Sequence, residues 1–245
     1  MDAASIDTAT SPASSAVVDR GPLLQPTPTS ARRWTDLGLV LLFAFVPSIA
    51  VSINHLWHSQ QVQFTNAKIL AGVFQELCLL MLFAVLYFRQ GRKLSGLGLG
   101  FQWTDLAKGL GLFLAGFTAY WLAYSLSWFG PTSLYSPRTA GVFAGTSFWL
   151  LIPFLCLNPF FEETLVRGYL MTEIIELRSS KTMAILLSVA IQTSYHLHYG
   201  IPDALSLGLG LGVFAIYYAN ARRLAPVILA HWLWDLTSLI GAWHR

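Results

Sequence analysis

Residues 147–171 read SFWLLIPFLCLNPFFEETLVRGYLM, a mostly apolar stretch whose only charged members are Glu162, Glu163 and Arg167. A helix that crosses a bilayer needs about 20 mostly apolar residues. The stretch is therefore long enough to span a membrane. Its three charges are costly there unless they face a protein interior or a wet cavity, which makes them functional candidates by default.

The composition of the whole chain indicates an integral membrane protein. Of the 245 residues, 55% are hydrophobic and only 11% are charged, whereas soluble domains carry about 25% charged residues. The mean hydropathy is +0.56, which leaves too little charge to cover a globular surface. Cys78 and Cys156 both lie in apolar runs and predict neither a disulfide framework nor a CxxC metal site.

Scanning for apolar stretches predicts an all-α, polytopic transmembrane helix bundle with about seven spans. The predicted spans are 36–56, 67–88, 105–129, 147–171, 182–199, 203–220 and 224–242. The Gly-rich stretch 94–103 is too short to span and is expected at the membrane interface. We divide the chain into a disordered cytoplasmic tail over 1–33, two N-terminal helices over 34–93 and a core over 94–245. The acidic start of the tail is not that of a secretory signal.

The basic residues predict the orientation, because cytoplasmic loops carry the excess of lysine and arginine. With the N-terminus inside, eleven of the fifteen basic residues lie in cytoplasmic segments. Lys68, Arg138 and Arg245 lie outside, and Arg167 lies within a span. The basic residues are scattered in ones and twos. They indicate membrane topology, with the lipid bilayer as a partner, rather than nucleic-acid binding.

The spacing of the three charges in 147–171 separates two adjacent glutamates. Glu163 and Arg167 are four residues apart and share a helix face, where a carboxylate and a guanidinium can pair. Glu162 lies about 100° around the helix and is not held by that pair, which leaves it available as a general base. The alternative is that the pair joins helices while Glu162 faces lipid headgroups.

Later spans contain further polar side chains. His196 and His198 are two residues apart, about 200° on a helix, so at most one is expected in a given cavity. His231 and Asp235 share a face at i and i+4, where a hydrogen bond would fix the imidazole tautomer. Polar contacts between helices are the alternative reading of both motifs. Glu76 has no partner in its own neighbourhood and is a buried polar candidate only.

Together these residues suit peptide hydrolysis. A glutamate and a histidine can activate a water, and a second histidine with Asp235 can hydrogen-bond a developing oxyanion. The set Glu162, His196 and His231 is also a possible ligand set for a divalent metal such as zinc, although none is assigned. The sequence contains neither an HExxH pair nor a GxSxG motif.

The motifs resemble those of the CPBP family, the CAAX proteases and bacteriocin-processing enzymes, also called the Abi or type II CAAX prenyl endopeptidase family. The family motif EExxxR is similar to Glu162–Arg167 without a gap. FxxxH is matched by His196, with Gln192 in place of phenylalanine. The continuation YHLHYG favours His196 over His198 as the histidine of this motif. HxxxN is matched by His231, with Asp235 in place of asparagine.

The resemblance implies an intramembrane endopeptidase, of glutamate or metalloprotease type, that hydrolyses a peptide bond near the membrane surface. It implies catalytic roles for Glu162, His196, His231 and Asp235, with Glu163 and Arg167 as structural support. An ionised Asp235 cannot donate to an oxyanion, so it either orients His231 or is protonated. The implied substrate is a membrane-associated peptide or protein, and the implied location is a bacterial inner membrane.

Two other classes of function also fit these residues. A non-enzymatic membrane immunity or scaffold protein would use the same polar cluster for binding or packing, and the departures at Gln192 and Asp235 keep that reading open. A small transporter with a proton-relay carboxylate also fits intramembrane Glu and His. It is disfavoured because the sequence shows no internal repeat.

Overall fold

The computed structural model describes residues 29–58, 63–127 and 145–243, and the regular elements of these ranges are all helices. In chain order the α-helices are α1 (Ser30–Trp57), α2 (Asn66–Arg89), α3 (Thr104–Ser127), α4 (Phe148–Glu163), α5 (Thr172–Arg178), α6 (Lys181–Tyr195), α7 (Ile201–Ala221) and α8 (Ala225–Trp243). The predicted all-α bundle is confirmed. Residues 1–28 of the predicted tail, Arg138 and Arg245 lie outside the described residues.

The helices have the length and composition of membrane spans. Five helical segments are long and apolar enough to cross a membrane: Ser30–Trp57, Asn66–Arg89, Thr104–Leu126, Phe148–Arg178 and Ile201–Ala221. A shorter apolar helix covers Ala225–Ile240, and α6 has 15 residues. Large apolar side chains such as Phe74 and Leu126 are 71% exposed on the outer faces, which suits contact with lipid.

The fourth span is one continuous helix that runs past its predicted end at residue 171. A buried π-helix, Thr164–Met171, joins α4 to α5, and π-helical turns frequently occur at functional sites. Pro153 and Pro159 lie inside α4 without ending it. Proline is tolerated in membrane helices when neighbouring groups satisfy the freed backbone.

The fifth span ends earlier than predicted. α6 stops at Tyr195, His196 is its C-cap residue, and a short 3-10 helix covers Leu197–Tyr199. Gly200 then adopts φ 101°, in the region that favours glycine, before α7 begins. The prediction that His196 and His198 lie about 200° apart on one helix is therefore wrong, because both belong to the connection between two helices.

Small residues let α3, α7 and α8 pack closely. A Cβ atom on Gly116 would lie 3.0 Å from the backbone oxygen of Gly210. A Cβ atom on Gly210 would lie 2.6 Å from the ring of Trp234. Such small-residue contacts are typical of helix interfaces in membranes. They fix the position of α8, which carries His231 and Asp235.

A charged network joins the helix ends that the sequence assigns to the cytoplasm. Arg33, near the start of α1, donates to Glu173 at 2.8 Å and to Glu176 at 2.6 Å. Arg92, just after α2, forms ion pairs with the same two glutamates. The start of α1, the end of α2 and α5 therefore meet at one end of the bundle, as the alternating topology requires.

Candidate active site

Glu163 is the centre of a buried charged cluster. Its Oε1 accepts a hydrogen bond from Arg167 Nη1 at 3.1 Å and lies 2.7 Å from His231 Nδ1. Arg167 also donates Nη2 to the carbonyl oxygen of Leu211 at 2.9 Å. Glu163 and Arg167 are both fully buried. The two side chains expected to pair do so, and the cluster joins the fourth span to α7 and α8.

The structure corrects the partner of His231. Its Nε2 lies 3.6 Å from Asp235 Oδ1, which is too long for a hydrogen bond. Glu163 instead reaches the ring from another helix. Because an ionised carboxylate only accepts, Nδ1 of His231 carries a hydrogen in this contact. The i,i+4 spacing relates only residues of the same helix, so it could not predict the contact between His231 and Glu163.

Glu162 points away from that cluster and has its own partners. Tyr195 Oη donates to Glu162 Oε2 at 2.5 Å, and Asn158 Nδ2 donates to Glu162 Oε1 at 3.2 Å. The same Asn158 nitrogen donates to Glu76 Oε1 at 3.0 Å. The two adjacent glutamates are thus separated as the helix geometry suggests, and Glu76 gains a partner from the fourth span.

Sequence reasoning missed Asn158 and Tyr195 as members of the site. Asn158 precedes Glu162 by four residues, a spacing that signals a shared helix face, but a single uncharged amide in an apolar stretch gives no further signal of a site. Tyr195 directly precedes His196, and no spacing rule connects it with Glu162, which lies 33 positions away.

His196 is held through the backbone. Its Nδ1 lies 2.8 Å from the carbonyl oxygen of Gln192. Because a carbonyl only accepts, Nδ1 bears the hydrogen, and Nε2 of a neutral ring is then the acceptor. Any residue at position 192 supplies that carbonyl, so the replacement of phenylalanine by Gln192 leaves the contact intact.

His198 contacts a different part of the bundle. Its backbone N–H donates to Ser52 Oγ on α1 at 2.7 Å. Its Nδ1 lies 3.0 Å from the carbonyl oxygen of Tyr195 and 3.2 Å from Ser52 Oγ. These contacts tie the α6–α7 connection to α1.

Several pairs of the predicted catalytic side chains are close enough to interact electrostatically. His231 interacts with Asp235 and Glu162 in this way, and His196 interacts with His231. A cavity of about 160 Å³ is lined by Glu162 but by neither histidine. Glu162 therefore separates a histidine-containing region from a cavity between α1, α2, α4 and α6.

The described residues do not fit a metal centre. No group of three or more His, Cys, Asp or Glu side chains within residues 29–58, 63–127 and 145–243 is arranged to hold an ion. The suggested set of Glu162, His196 and His231 is not among such groups, and both Glu162 oxygens already accept hydrogen bonds. We therefore derive no step through a metal.

The fold and the buried Glu and His side chains define a polytopic membrane protein with a polar cluster inside its helix bundle. Residues 144–237 match a family model described as Type II CAAX prenyl endopeptidase Rce1-like. All three motifs lie inside this range. The match supports the CAAX protease, or CPBP, family for this part of the chain. Together with the apolar helices it supports a CAAX-type intramembrane protease in general. Comparison with the curated proteins and with the solved structures gives no significant match.

Proposed function

We propose that the protein is an intramembrane endopeptidase in which Glu162 and His196 activate the water that attacks the peptide bond. The observation that supports this most is the separation of the two glutamates. Glu163 is bonded to Arg167 and His231, whereas Glu162 has only neutral donors, Asn158 and Tyr195. A carboxylate without a cationic partner is the better base.

Water activation follows from the hydrogen bonds of the two bases. The contact between His196 Nδ1 and a carbonyl leaves Nε2 with a lone pair. That nitrogen, or Glu162, takes a proton from the water as its oxygen attacks the peptide carbonyl carbon. When the tetrahedral intermediate collapses, the carbon–nitrogen bond breaks and the same base returns the proton to the leaving amine.

His231 is the proposed donor to the oxyanion. Glu163 fixes the ring through Nδ1, so Nε2 faces the Asp235 side of the site at 3.6 Å. A ring with a hydrogen on each nitrogen donates one to Glu163 and offers the other to the oxyanion. Asp235 then acts as a charge partner of that ring, because an ionised carboxylate has no hydrogen to donate.

The family resemblance supports a membrane-associated peptide or protein as substrate, cleaved near the membrane surface. The location that the resemblance implies, a bacterial inner membrane, is part of the same proposal. A prenylated CAAX peptide and an unprenylated membrane peptide, such as a bacteriocin precursor, are the two substrate classes to separate.

The test compares membrane peptides in cells that carry wild type or Glu162→Gln. Glutamine preserves the size of the side chain and can satisfy both Asn158 and Tyr195, so the variant should fold. We expect at least one membrane-associated peptide to accumulate uncut in the variant, and purified wild type in lipid nanodiscs to cleave it. A farnesylated and an unfarnesylated form of a synthetic peptide then identify the substrate class.

An immunity or scaffold function gives the opposite result. In that case Glu162→Gln leaves every membrane peptide unchanged, and the purified wild type cleaves none of them. Arg89→Ala, at an exposed position near the end of α2, is the matched control for expression and purification.

A further inference from the structure

The cavity beside Glu162 has a mixed lining. It lies between α1, α2, α4 and α6 and has a volume of about 160 Å³. A single water needs about 10–15 Å³ of such volume, so the space is large enough for an amino-acid side chain. Its polar lining residues are Ser48, Gln75, Glu76, Asn158, Glu162 and Tyr195. Phe45, Leu79 and Phe161 contribute apolar walls.

Two carboxylates in this lining share a single neutral donor. Asn158 Nδ2 donates to Glu76 at 3.0 Å and to Glu162 at 3.2 Å. The carboxylates therefore lie on either side of one amide nitrogen. Glu76 is only 8% exposed, and its Oε2 has no hydrogen-bond partner in the described part of the chain.

No positive group within the described residues bonds these two carboxylates. The charged groups within electrostatic range of Glu76 are Glu162 on α4 and Asp235 on α8, both acidic. Arg167 and His231 are bonded to Glu163 instead. A buried carboxylate without a cationic partner is costly, and Glu76 Oε2 lacks a hydrogen-bond donor as well, so the cavity favours a positive group.

We propose that this cavity binds a basic side chain, lysine or arginine, of the peptide that the protein cleaves. The ammonium or guanidinium group would bind between Glu76 and Glu162, and the methylene stem would pack on the apolar walls. Because Glu162 also borders the reaction site, the basic residue must lie within one or two positions of the scissile bond. This inference rests on the proposed protease function.

The test is the cleavage profile of a synthetic peptide mixture in which each position is varied. The full chain is reconstituted in lipid nanodiscs, and cleaved bonds are identified by mass spectrometry. We expect lysine or arginine at one fixed position beside the bond to raise kcat/KM at least tenfold over norleucine, which has the same stem without the charge. In Glu76→Gln, which still accepts from Asn158, this ratio should fall at least tenfold. Cys78→Ser, at an exposed position on α2, should keep the wild-type ratio.

A second measurement does not depend on catalysis. N-butylguanidinium, added at millimolar concentration, should raise the thermal unfolding midpoint of wild type more than that of Glu76→Gln. The uncharged n-pentanol should not distinguish the two proteins. An equal shift with N-butylguanidinium would show that Glu76 binds no cation and would overturn the proposal.

The outcomes separate this inference from the proposed function. Cleavage that depends on Glu162 but shows no preference for a basic residue overturns the subsite and leaves the protease intact. An equal loss of kcat on lysine and norleucine peptides in Glu76→Gln also overturns it, since Glu76 would then act only through Glu162. If no cleavage depends on Glu162, both proposals fail, whatever the thermal shift.

Discussion

Replacing Arg167 by alanine tests the separation of structural support from chemistry. Arg167 and Glu163 are fully buried and joined at 3.1 Å. Breaking a buried ion pair by removing one partner costs about 3–5 kcal/mol. His231 still donates to Glu163 at 2.7 Å in the variant, so we expect about 3 kcal/mol, the lower end of that range. The carbonyl of Leu211 also loses its hydrogen-bond donor in this variant. The loss of folding free energy should therefore not be smaller than about 3 kcal/mol.

For a chain of this size, about 3 kcal/mol corresponds to a fall of about 6–12 °C in the midpoint of thermal unfolding. The nine tryptophans allow the midpoint to be followed by intrinsic fluorescence in detergent or nanodiscs. Arg167→Lys keeps the charge but lacks the planar fork that reaches both Glu163 and Leu211, so its midpoint should fall between those of wild type and alanine.

Two controls bracket this measurement. Arg89→Ala removes an exposed arginine and should stay close to the wild-type midpoint. Glu162→Gln should also remain stable while losing cleavage, because both of its hydrogen-bond partners are neutral. If Arg167→Ala unfolds at the wild-type temperature but cleaves no peptide, Arg167 acts in the chemistry rather than in support of the fold.

The remaining predictions concern the oxyanion donor, helix packing and metal dependence. His231→Ala should lower kcat by about 10²–10³-fold, as removal of a principal oxyanion donor does. Asp235→Asn should lower kcat by less than His231→Ala does, because Glu163 still holds the ring while the charge that favours its doubly protonated form is lost; a rate at or above that of wild type would contradict the charge-partner role. Gly210→Leu should lower the unfolding midpoint, because its side chain would clash with the ring of Trp234, and an unchanged midpoint would disprove the close packing. Incubation with 1,10-phenanthroline should leave peptide cleavage unchanged, as the donor set does not fit a metal, while loss of activity restored by zinc would contradict this.

The sequence predicts the fold well because membrane insertion leaves a strong pattern in it. Apolar stretches of bilayer length locate the helices, and most predicted ends lie within a few residues of the observed ones. The exceptions have local causes. α6 ends at Tyr195 because the chain turns through a 3-10 segment to Gly200. The fourth span continues to Arg178 because a π-helix bridges the polar motif.

The site is less predictable, because its contacts join residues that are distant in sequence. Helical spacing correctly paired Glu163 with Arg167, which are four residues apart. The contacts of Glu163 with His231 and of Glu162 with Tyr195 cross 68 and 33 positions. Nothing in the local pattern of either segment specifies them.

The replacement of the family's asparagine by Asp235 is understandable once the partners of His231 are known. If Asp235 held the imidazole, the substitution would decide both the position and the tautomer of the ring. Glu163, itself neutralised by Arg167, performs that task from another helix. Asp235 lies beyond hydrogen-bond distance and its side chain is 24% exposed, whereas that of Glu163 is fully buried. We therefore expect a change at position 235 to be tolerated better than one at position 163. Only Glu163 both pairs with Arg167 inside the bundle and orients the ring of the proposed oxyanion donor.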